Sequence, residues 1–317
     1  MIRVATAPPR RVAVRSASTK RHSRPYTAFV LSGGASLGAL QVGMLRAVYE
    51  SGIAADVLVG TSAGALNAAF VASRPQSVAT ANELARVWRG LQRDDIFPVS
   101  MRTLVGGLCG RRDHLVPDRG LRRLVARHVE FQDISDAAIP LHVVAFDLDE
   151  GCEVLLSEGP AVDVIAATAA VPGLLPPVRI GERQLIDGGV VNNTPISHAV
   201  ALGAERIFVF PTQAGQRPLK RAPRGALEAA TQGLTVLTDR RLEWDVARYS
   251  SDVELILLPA PNPTQVQPID FDHSSRLIGE ALTATRAFLA RRGTAFAERA
   301  VERAPGTDPP VATRLAA

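Results

Sequence analysis

The chain has 317 residues, of which 46% are apolar and 21% are charged, and its formal net charge is +5. This is the composition of an ordinary globular protein, and it excludes a chain that is disordered or fibrous throughout. No apolar run reaches the roughly 18 residues that a helix needs to cross a bilayer. Cys109 and Cys152 form no CxxC pair and fit no metal-ligand spacing. We expect a cytoplasmic protein, soluble or peripheral at a membrane, without a metal site.

Much of the positive charge lies in residues 1–25, which contain no acidic side chain and are rich in Ser, Ala and Pro. The basic residues there are Arg3, Arg10, Arg11, Arg15, Lys20, Arg21 and Arg24. This pattern predicts a flexible basic tail. Such a tail is attracted to anionic lipid by about 1 kcal/mol for each basic side chain near the surface.

The first elements in chain order alternate between strand and helix. Residues 26–31 form an apolar strand pattern, and the next apolar residues recur at helical spacing up to Gly52. A second short strand pattern follows at 56–60, and an Ala-rich helix pattern at 63–72 is apolar almost all round. This β-α-β-α order predicts a parallel sheet covered by helices.

The rest of the chain continues that pattern after an interruption. Residues 86–130 are rich in Arg and predict helical insertions near one end of the sheet. The further strands are predicted at 141–147, 153–156, 178–186, 206–210 and 253–258, and a last helix at 274–291. We expect one α/β domain over residues 26–295 and a loose C-terminal tail over 296–317.

Residues 60–64 read G-x-S-x-G and place Ser62 between a strand and a buried helix. A nucleophile elbow requires this setting, because only small residues such as Gly60 and Gly64 allow the sharp turn that exposes the serine. Ser62 is therefore the candidate nucleophile. The other interpretation is an ordinary Gly-rich turn.

A second Gly-rich turn, Gly33-Gly34-Ala35, ends a strand one βα unit earlier and precedes a helix that starts near Gly38. Its backbone N–H groups are candidate donors to the oxyanion that forms during acyl transfer. A dinucleotide fingerprint would need glycine in place of Ala35. A Walker A loop would need Lys and Ser or Thr after Gly38, where Ala39 and Leu40 stand.

The candidate base is Asp187, which follows a strand pattern and precedes Gly188 and Gly189 in a segment otherwise poor in charge. The other interpretation is a turn Asp in an Asp-Gly pair. Among the histidines, His198 and His273 follow Asp187, as the order Ser-Asp-His of a triad requires. Neither stands in a Gly-rich or strand-end setting.

Three segments resemble the patatin-like phospholipase family: "LSGGASLGALQVGML", "LVGTSAGALNAAF" and the region around "LIDGGVVNNTP". The resemblance covers roughly residues 29–210. It implies a three-layer α/β fold with a mostly parallel central sheet between helices. It also implies a Ser–Asp dyad without histidine, in which Ser62 is the nucleophile and Asp187 the base, beside an oxyanion loop of Gly33, Gly34 and Ala35.

The chain departs from the family pattern at Ala35, where a third glycine is common, and at Leu37, where Arg or Lys is common. Ala35 still offers an N–H group, whereas Leu37 offers no charge to a substrate phosphate. The resemblance thus predicts hydrolysis of fatty-acyl esters of lipids, as by a phospholipase A, a lysophospholipase or another carboxylic ester hydrolase. No cofactor and no nucleic-acid partner are expected.

Two alternatives stay open on the sequence. One is an α/β-hydrolase esterase with a Ser62–Asp187–His triad, and the other is an inactive lipid-binding protein of the same fold. A further hypothesis concerns residues 96–112, where apolar side chains stand beside Arg102, Arg111 and Arg112. That mixture is typical of a lid that touches an anionic lipid surface, although it also fits a cover over the sheet.

Overall fold

The computed structural model describes residues 24–98, 103, 105–106, 109–213, 226–261 and 269–303; for 226–232 and 294–303 it describes the backbone alone. Residues 1–23 of the predicted basic tail and 304–317 of the predicted C-terminal tail lie outside the described residues. Arg24 is described, and its guanidinium donates to both carboxylate oxygens of Asp56 at 2.8 and 2.6 Å. The division into tails and domain stays a prediction.

Within the described ranges, the strands form one eight-stranded sheet. They are β1 (Thr27–Leu31), β2 (Val57–Thr61), β3 (Leu141–Asp147), β4 (Cys152–Leu156), β5 (Val178–Ile180), β6 (Arg183–Asp187), β7 (Arg206–Phe210) and β8 (Glu254–Leu257). Hydrogen-bonded pairs connect the strands in the order β5-β6-β3-β2-β1-β7-β8. Strand β3 also pairs with β4 and so has three neighbours. The pairs among β3, β2, β1, β7 and β8 are parallel, whereas β4, β5 and β6 join by antiparallel pairs.

The described helices cover both faces of this sheet. They are α1 (Ala39–Glu50), α2 (Ala63–Ala72), α3 (Val78–Gly90), α4 (Arg93–Ile96), α5 (Arg119–His128), α6 (Ala161–Thr168), α7 (Gly189–Asn192), α8 (Ile196–Ala201), α9 (Ala226–Tyr249) and α10 (Ser274–Arg303). Short 3-10 helices occupy Ala35–Gly38 and Ile134–Asp136. In the part of the chain that is described, none of the helices combines the length and the apolar character that a membrane span needs.

Strand β1 shows how the two faces are filled. Phe29 and Leu31 belong to the larger apolar cluster, which includes side chains of α1, α2, α3 and α10. Ala28 and Val30 point the other way, into a smaller cluster with α8 and Leu242 of α9. Because both faces are covered, the strand is a continuous apolar run rather than an alternating one. The predicted three-layer α/β class with a mostly parallel sheet is confirmed.

Some predicted boundaries were wrong. Residues 178–186 are not one strand but the hairpin β5–β6, whose turn contains Gly181 at φ 61°. Glycine adopts this left-handed conformation without the steric cost of a side chain. Helix α9 was not predicted, and α10 runs on to Arg303 rather than ending at 291.

The segment predicted as a lid or cover begins in the core. Ile96 and Phe97 are 7% and 6% exposed, and the Phe97 ring lies 6.4 Å from that of Phe271. Their burial favours the interpretation of these two residues as core, and the lid hypothesis stays a prediction. Val105 is half exposed. Other members of the predicted lid lie outside the described residues: Val99, Met101, Arg102, Leu104, Gly107 and Leu108.

Candidate active site

The pairing of strand β3 brings Ser62 and Asp187 together. Val144 pairs with Thr61, the last residue of β2, and Ala145 pairs with Asp187, the last residue of β6. Both β3 residues also pair with β4. A strand has two edges, so β2 and β6 must share the opposite edge of β3 and meet end to end. The Ser62 hydroxyl donates to Asp187 Oδ2 at 2.7 Å.

Ser62 has the strained backbone that exposes a nucleophile. Its φ is 52° and its ψ is −124°, in a region that non-glycine residues rarely adopt. The turn is so tight that a Cβ on Gly64 would lie 2.1 Å from the Leu31 carbonyl oxygen. A Cβ on Gly60 would lie 2.6 Å from Ala65 Cα. Both motif glycines are therefore required by close backbone approach.

Asp187 is buried, with 6% of its surface exposed. Its Oδ1 accepts from the Gly189 N–H at 2.7 Å while Oδ2 accepts from Ser62. Burial raises the pKa of Asp187 to about 6, although the hydrogen bonds from Gly189 and Ser62 act in the opposite direction. Gly188 is packed against β3, since a Cβ there would lie 2.4 Å from the Val144 carbonyl oxygen.

Thr168, which our sequence analysis missed, fixes the backbone of the nucleophile. Its hydroxyl oxygen accepts from the Ser62 N–H at 2.9 Å, and the hydroxyl donates to the Val144 carbonyl at 2.5 Å. Thr168 thus ties the Ser62 turn to the strand that also pairs with Asp187. A signal was present, because Thr168 is the one polar residue in the run 164–171.

The Gly33 peptide is held from two sides. Its N–H donates to the Asn193 carbonyl at 3.0 Å. Its carbonyl accepts from Thr212 Oγ1 at 2.5 Å and from Asn193 Nδ2 at 3.3 Å. The C=O and N–H groups of a trans peptide point in opposite directions, so the Gly34 N–H points away from Thr212. Gly33 therefore anchors the loop rather than offering a free donor.

Gly34 and Ala35 carry the N–H groups that stay available. Neither N–H donates to another group among the described contacts. Ala35 has a φ of 48°, a second non-glycine residue in the left-handed region, and it begins the 3-10 helix that ends at Gly38. A Cβ on Gly33 would lie 3.1 Å from Ser62 Cβ, which shows how closely the loop approaches the nucleophile.

A buried polar network supports the same loop. Gln41 Nε2 donates to the carbonyls of Ser32 and Phe210 at 2.8 and 2.9 Å. Asn67 Nδ2 donates to Gln41 Oε1 and to the Gly38 carbonyl at 2.8 and 3.0 Å. The Trp88 indole N–H completes the chain by donating to Asn67 Oδ1 at 2.8 Å. A satisfied buried network of this kind rigidifies the loop.

The two candidate triad histidines have other partners. His198 Nε2 lies 2.5 Å from Glu153 Oε1, and His273 Nε2 lies 3.4 Å from Asp270 Oδ2. Both carboxylate oxygens of Asp187 are occupied by Ser62 and Gly189. The described geometry thus brings serine and aspartate together without a histidine.

Ser62 opens onto an apolar cavity of about 60 Å³, which we call the acyl cavity. Its walls include Ala35 of the loop, Leu66 and Phe70 of α2, and Trp88 of α3. The remaining lining side chains are mostly aliphatic. An apolar cavity beside a nucleophile favours a substrate with a hydrocarbon portion.

Comparisons with known proteins indicate the family of the chain. The sequence profile of the family described as "Patatin-like phospholipase" matches residues 29–200, more than half of the chain. The chain is 28% identical over 186 residues to lysophospholipase NTE1 of Mycosarcoma maydis, a match that covers 56% of this chain and 9% of that protein. It is also 28% identical to an uncharacterised NTE-family protein of Mycobacterium tuberculosis, with 64% of this chain and 34% of that protein covered.

The chain therefore spans only a small part of these relatives' length. Among solved structures, VipD from Legionella pneumophila matches with a TM-score of 0.41 and 13% identity, over 83% of this chain and 67% of that one. The family assignment itself rests on the profile match, which spans the Gly33–Ala35 loop, Ser62 and Asp187. The chain belongs to the patatin-like phospholipase family.

Proposed function

We propose that the protein is a lipid acyl hydrolase that works through a Ser62–Asp187 dyad. The observation that carries this proposal is the 2.7 Å hydrogen bond from Ser62 Oγ to the buried Asp187 carboxylate, at the mouth of an apolar cavity. A nucleophile and its base must lie within such hydrogen-bond distance of each other. The pKa of Asp187, about 6, is closer to neutral pH than that of an exposed aspartate, so Asp187 is the better proton acceptor.

The acylation step follows from the positions of these groups. Ser62 Oγ forms a bond to the ester carbonyl carbon while its proton passes to Asp187 Oδ2. The carbonyl oxygen becomes an oxyanion, which accepts hydrogen bonds from the Gly34 and Ala35 N–H groups. The bond to the alcohol oxygen then breaks, and the alcohol leaves with the proton from Asp187. Ser62 now carries the acyl group as an ester.

Deacylation repeats these steps with water. Asp187 accepts a proton from a water molecule that attacks the acyl carbonyl. The bond to Ser62 Oγ breaks, the serine regains a proton through Asp187, and the fatty acid is released. Asp187 serves both half-reactions because the pair has no histidine between its members.

The substrate class is a fatty-acyl ester of a phospholipid or lysophospholipid. The acyl cavity supports the hydrocarbon portion, and the similarity to a lysophospholipase supports the lipid ester. Leu37, which is buried, supplies no cation to a substrate phosphate. We infer that recognition depends on the acyl chain more than on the head group.

A fluorophosphonate probe and peptide mapping test the assignment. The probe should label Ser62, and Ser62→Ala should lose both labelling and hydrolysis of a lysophospholipid. Ser157→Ala, which removes an exposed serine elsewhere, is the control and should keep both. Labelling of another serine would overturn the proposal. Lost activity in His198→Ala or His273→Ala would favour the triad, and full labelling without turnover would indicate an inactive lipid-binding protein.

A further inference from the structure

A second and larger cavity lies between α3 and α5, outside the site described above. Its volume is about 520 Å³. Arg86 of α3 faces it from one side, and Arg123 and Arg127, one helical turn apart on α5, face it from the other. We call this cavity, with these three arginines, the cationic cleft.

The arginines of the cationic cleft are poorly compensated. In the described part of the chain, no carboxylate lies within 4.0 Å of the guanidinium of Arg123 or Arg127. Arg123 Nε donates only to the Arg119 carbonyl, at 3.3 Å. Arg86 reaches Glu83 at no less than 3.9 Å. All three arginines are exposed, so their guanidinium groups are accessible to an anion from solvent.

One acid, Asp95, also lines the cleft, and one of its carboxylate oxygens accepts a backbone hydrogen bond. Asp95 Oδ2 accepts from the Gln92 N–H at 2.8 Å, in the capping box that starts α4. The positive field of this region also acts on His128, which lines the cleft. Burial lowers the pKa of His128, and the charges of Arg127 and Arg74 lower it further.

The cleft is separate from the hydrolytic site. Val87, Leu91, Leu124 and His128 line both the cationic cleft and the acyl cavity, so these side chains form the wall between the two. An anion in the cleft is therefore on the opposite side of this wall from the acyl cavity. It would not be the phosphate of a lipid whose ester is at Ser62.

The shape and charge of the cleft define its ligand. Guanidinium groups present planar forks of donors that match phosphate oxygens in bidentate pairs, and such charge-assisted bonds are the stronger ones. The cleft has room for more than a bare anion. We propose that the cationic cleft binds a phosphate monoester or inorganic phosphate, held by Arg86, Arg123 and Arg127. The two sources are free phosphate and the head group of an anionic lipid.

The test uses the double variant Arg123→Gln with Arg127→Gln. Its control is Arg240→Gln with Arg248→Gln, which removes two exposed arginines from α9 and so changes the net charge equally. All proteins also carry Ser62→Ala, so that lipids stay intact and binding is measured independently of hydrolysis. Melting temperatures of the variants establish that each is folded.

Two probes distinguish the sources. Inorganic phosphate is titrated by calorimetry at constant ionic strength. Phosphatidylcholine vesicles with and without about 10 mol % phosphatidic acid are sedimented with the protein. We expect at least about 10-fold weaker binding of one probe to the cleft variant, and less than about 2-fold change in the control.

Each result has one meaning. Weakened phosphate binding in the cleft variant supports a site for free phosphate. Weakened binding only to vesicles with phosphatidic acid supports a lipid head group. Equal losses in the cleft variant and the control would reflect net charge and would overturn the proposal. So would unchanged binding in the cleft variant, or the absence of binding by the Ser62→Ala protein.

Discussion

At the Ser62–Asp187 pair, burial favours the proposed catalysis and opposes stability. The folded-state pKa of Asp187, about 6, lies above that of an unperturbed aspartate, so the folded protein binds the proton more tightly than the unfolded chain. Asp187 therefore contributes its full stability below the pKa that it has in the unfolded chain. This contribution is lost as pH rises through about 6. At pH 8 the ionised carboxylate costs at most about 3 kcal/mol, since each pKa unit corresponds to about 1.4 kcal/mol.

Asp187→Asn should therefore abolish the proposed hydrolysis and yet stabilise the protein at high pH. We expect a melting temperature above that of the wild type at pH 8, and a difference that narrows as pH falls from about 6 to about 4. Thermal unfolding of both proteins over a pH series measures this difference in melting temperature. In the wild type, kcat/KM should fall as pH drops below about 6, because the protonated carboxyl cannot accept the serine proton. An equal difference in melting temperature at all pH values would contradict the raised pKa of Asp187.

Thr168 is proposed as a positioning residue, since its hydroxyl contacts the Ser62 backbone. Thr168→Val keeps the shape but leaves the Ser62 N–H and the Val144 carbonyl without their partner. We expect kcat to fall about 10-fold with KM nearly unchanged, and stability to drop by about 1–3 kcal/mol. Thr168→Ser, which restores the hydroxyl, should recover most of kcat. A loss of stability with normal kcat would assign Thr168 to folding alone.

Among the elements, the loop proposed to hold the oxyanion is closely packed at Gly34. A Cβ on Gly34 would lie 2.4 Å from Thr212 Oγ1 and 2.6 Å from Thr212 Cβ. Gly34→Ala must therefore displace either Thr212, which holds the Gly33 carbonyl, or the Gly34 peptide, whose N–H is a proposed oxyanion donor. We expect turnover to fall by about 10²-fold, the typical cost of one lost oxyanion donor.

The matched control for this change is Gly90→Ala at the end of α3, where an added Cβ meets nothing within 4 Å. It should leave turnover unchanged. Steady-state kinetics on a soluble short-chain ester, with circular dichroism to confirm folding, measures both variants. Normal turnover in Gly34→Ala would place the oxyanion donors elsewhere.

Helices α1 and α10 contact each other at the backbone. A Cβ on Gly43 would lie 2.2 Å from the Ile278 carbonyl oxygen and 2.7 Å from the Leu282 nitrogen. Gly43→Ala must push the two helices apart, and we expect it to lower the free energy of unfolding by about 1–3 kcal/mol. Gly279→Ala, on α10 where an added Cβ meets nothing, should raise it by up to about 1 kcal/mol. Denaturant titration compares them, and equal effects would argue against the close contact.

Across the whole molecule, the elements and site residues that the sequence predicts are those that depend on local patterns of residues. The apolar runs of the central strands and the Ala-rich run of α2 predict their elements almost to the residue, because both faces of the sheet are covered. Ser62 and Asp187 are visible because small residues surround them at strand ends. Their hydrogen bond is not visible, since it depends on both β2 and β6 pairing with one edge of β3.

Other parts of the site depend on contacts between distant residues. Asn193 and Thr212 hold the Gly33 peptide across 160 and 179 positions of sequence. Nothing in the local pattern around Gly33 indicates that its N–H is already occupied. Phe97, which is buried, illustrates an ambiguity of local pattern, because an apolar residue beside arginines looks the same in a lid and in a core.

The two tryptophans of the chain differ in exposure, and this gives the molecule a built-in optical reporter. Trp244 on α9 is 78% exposed, whereas Trp88 is 5% exposed, lies 6.1 Å from Phe271 and lines the acyl cavity. Iodide should therefore quench only part of the emission, and Trp244→Phe should remove the quenched part. The emission that persists in this variant comes from Trp88 and should shift when a fatty acid enters the cavity, so that occupancy can be followed by fluorescence without turnover. An unchanged spectrum at saturating fatty acid would mean that the hydrocarbon binds away from Trp88.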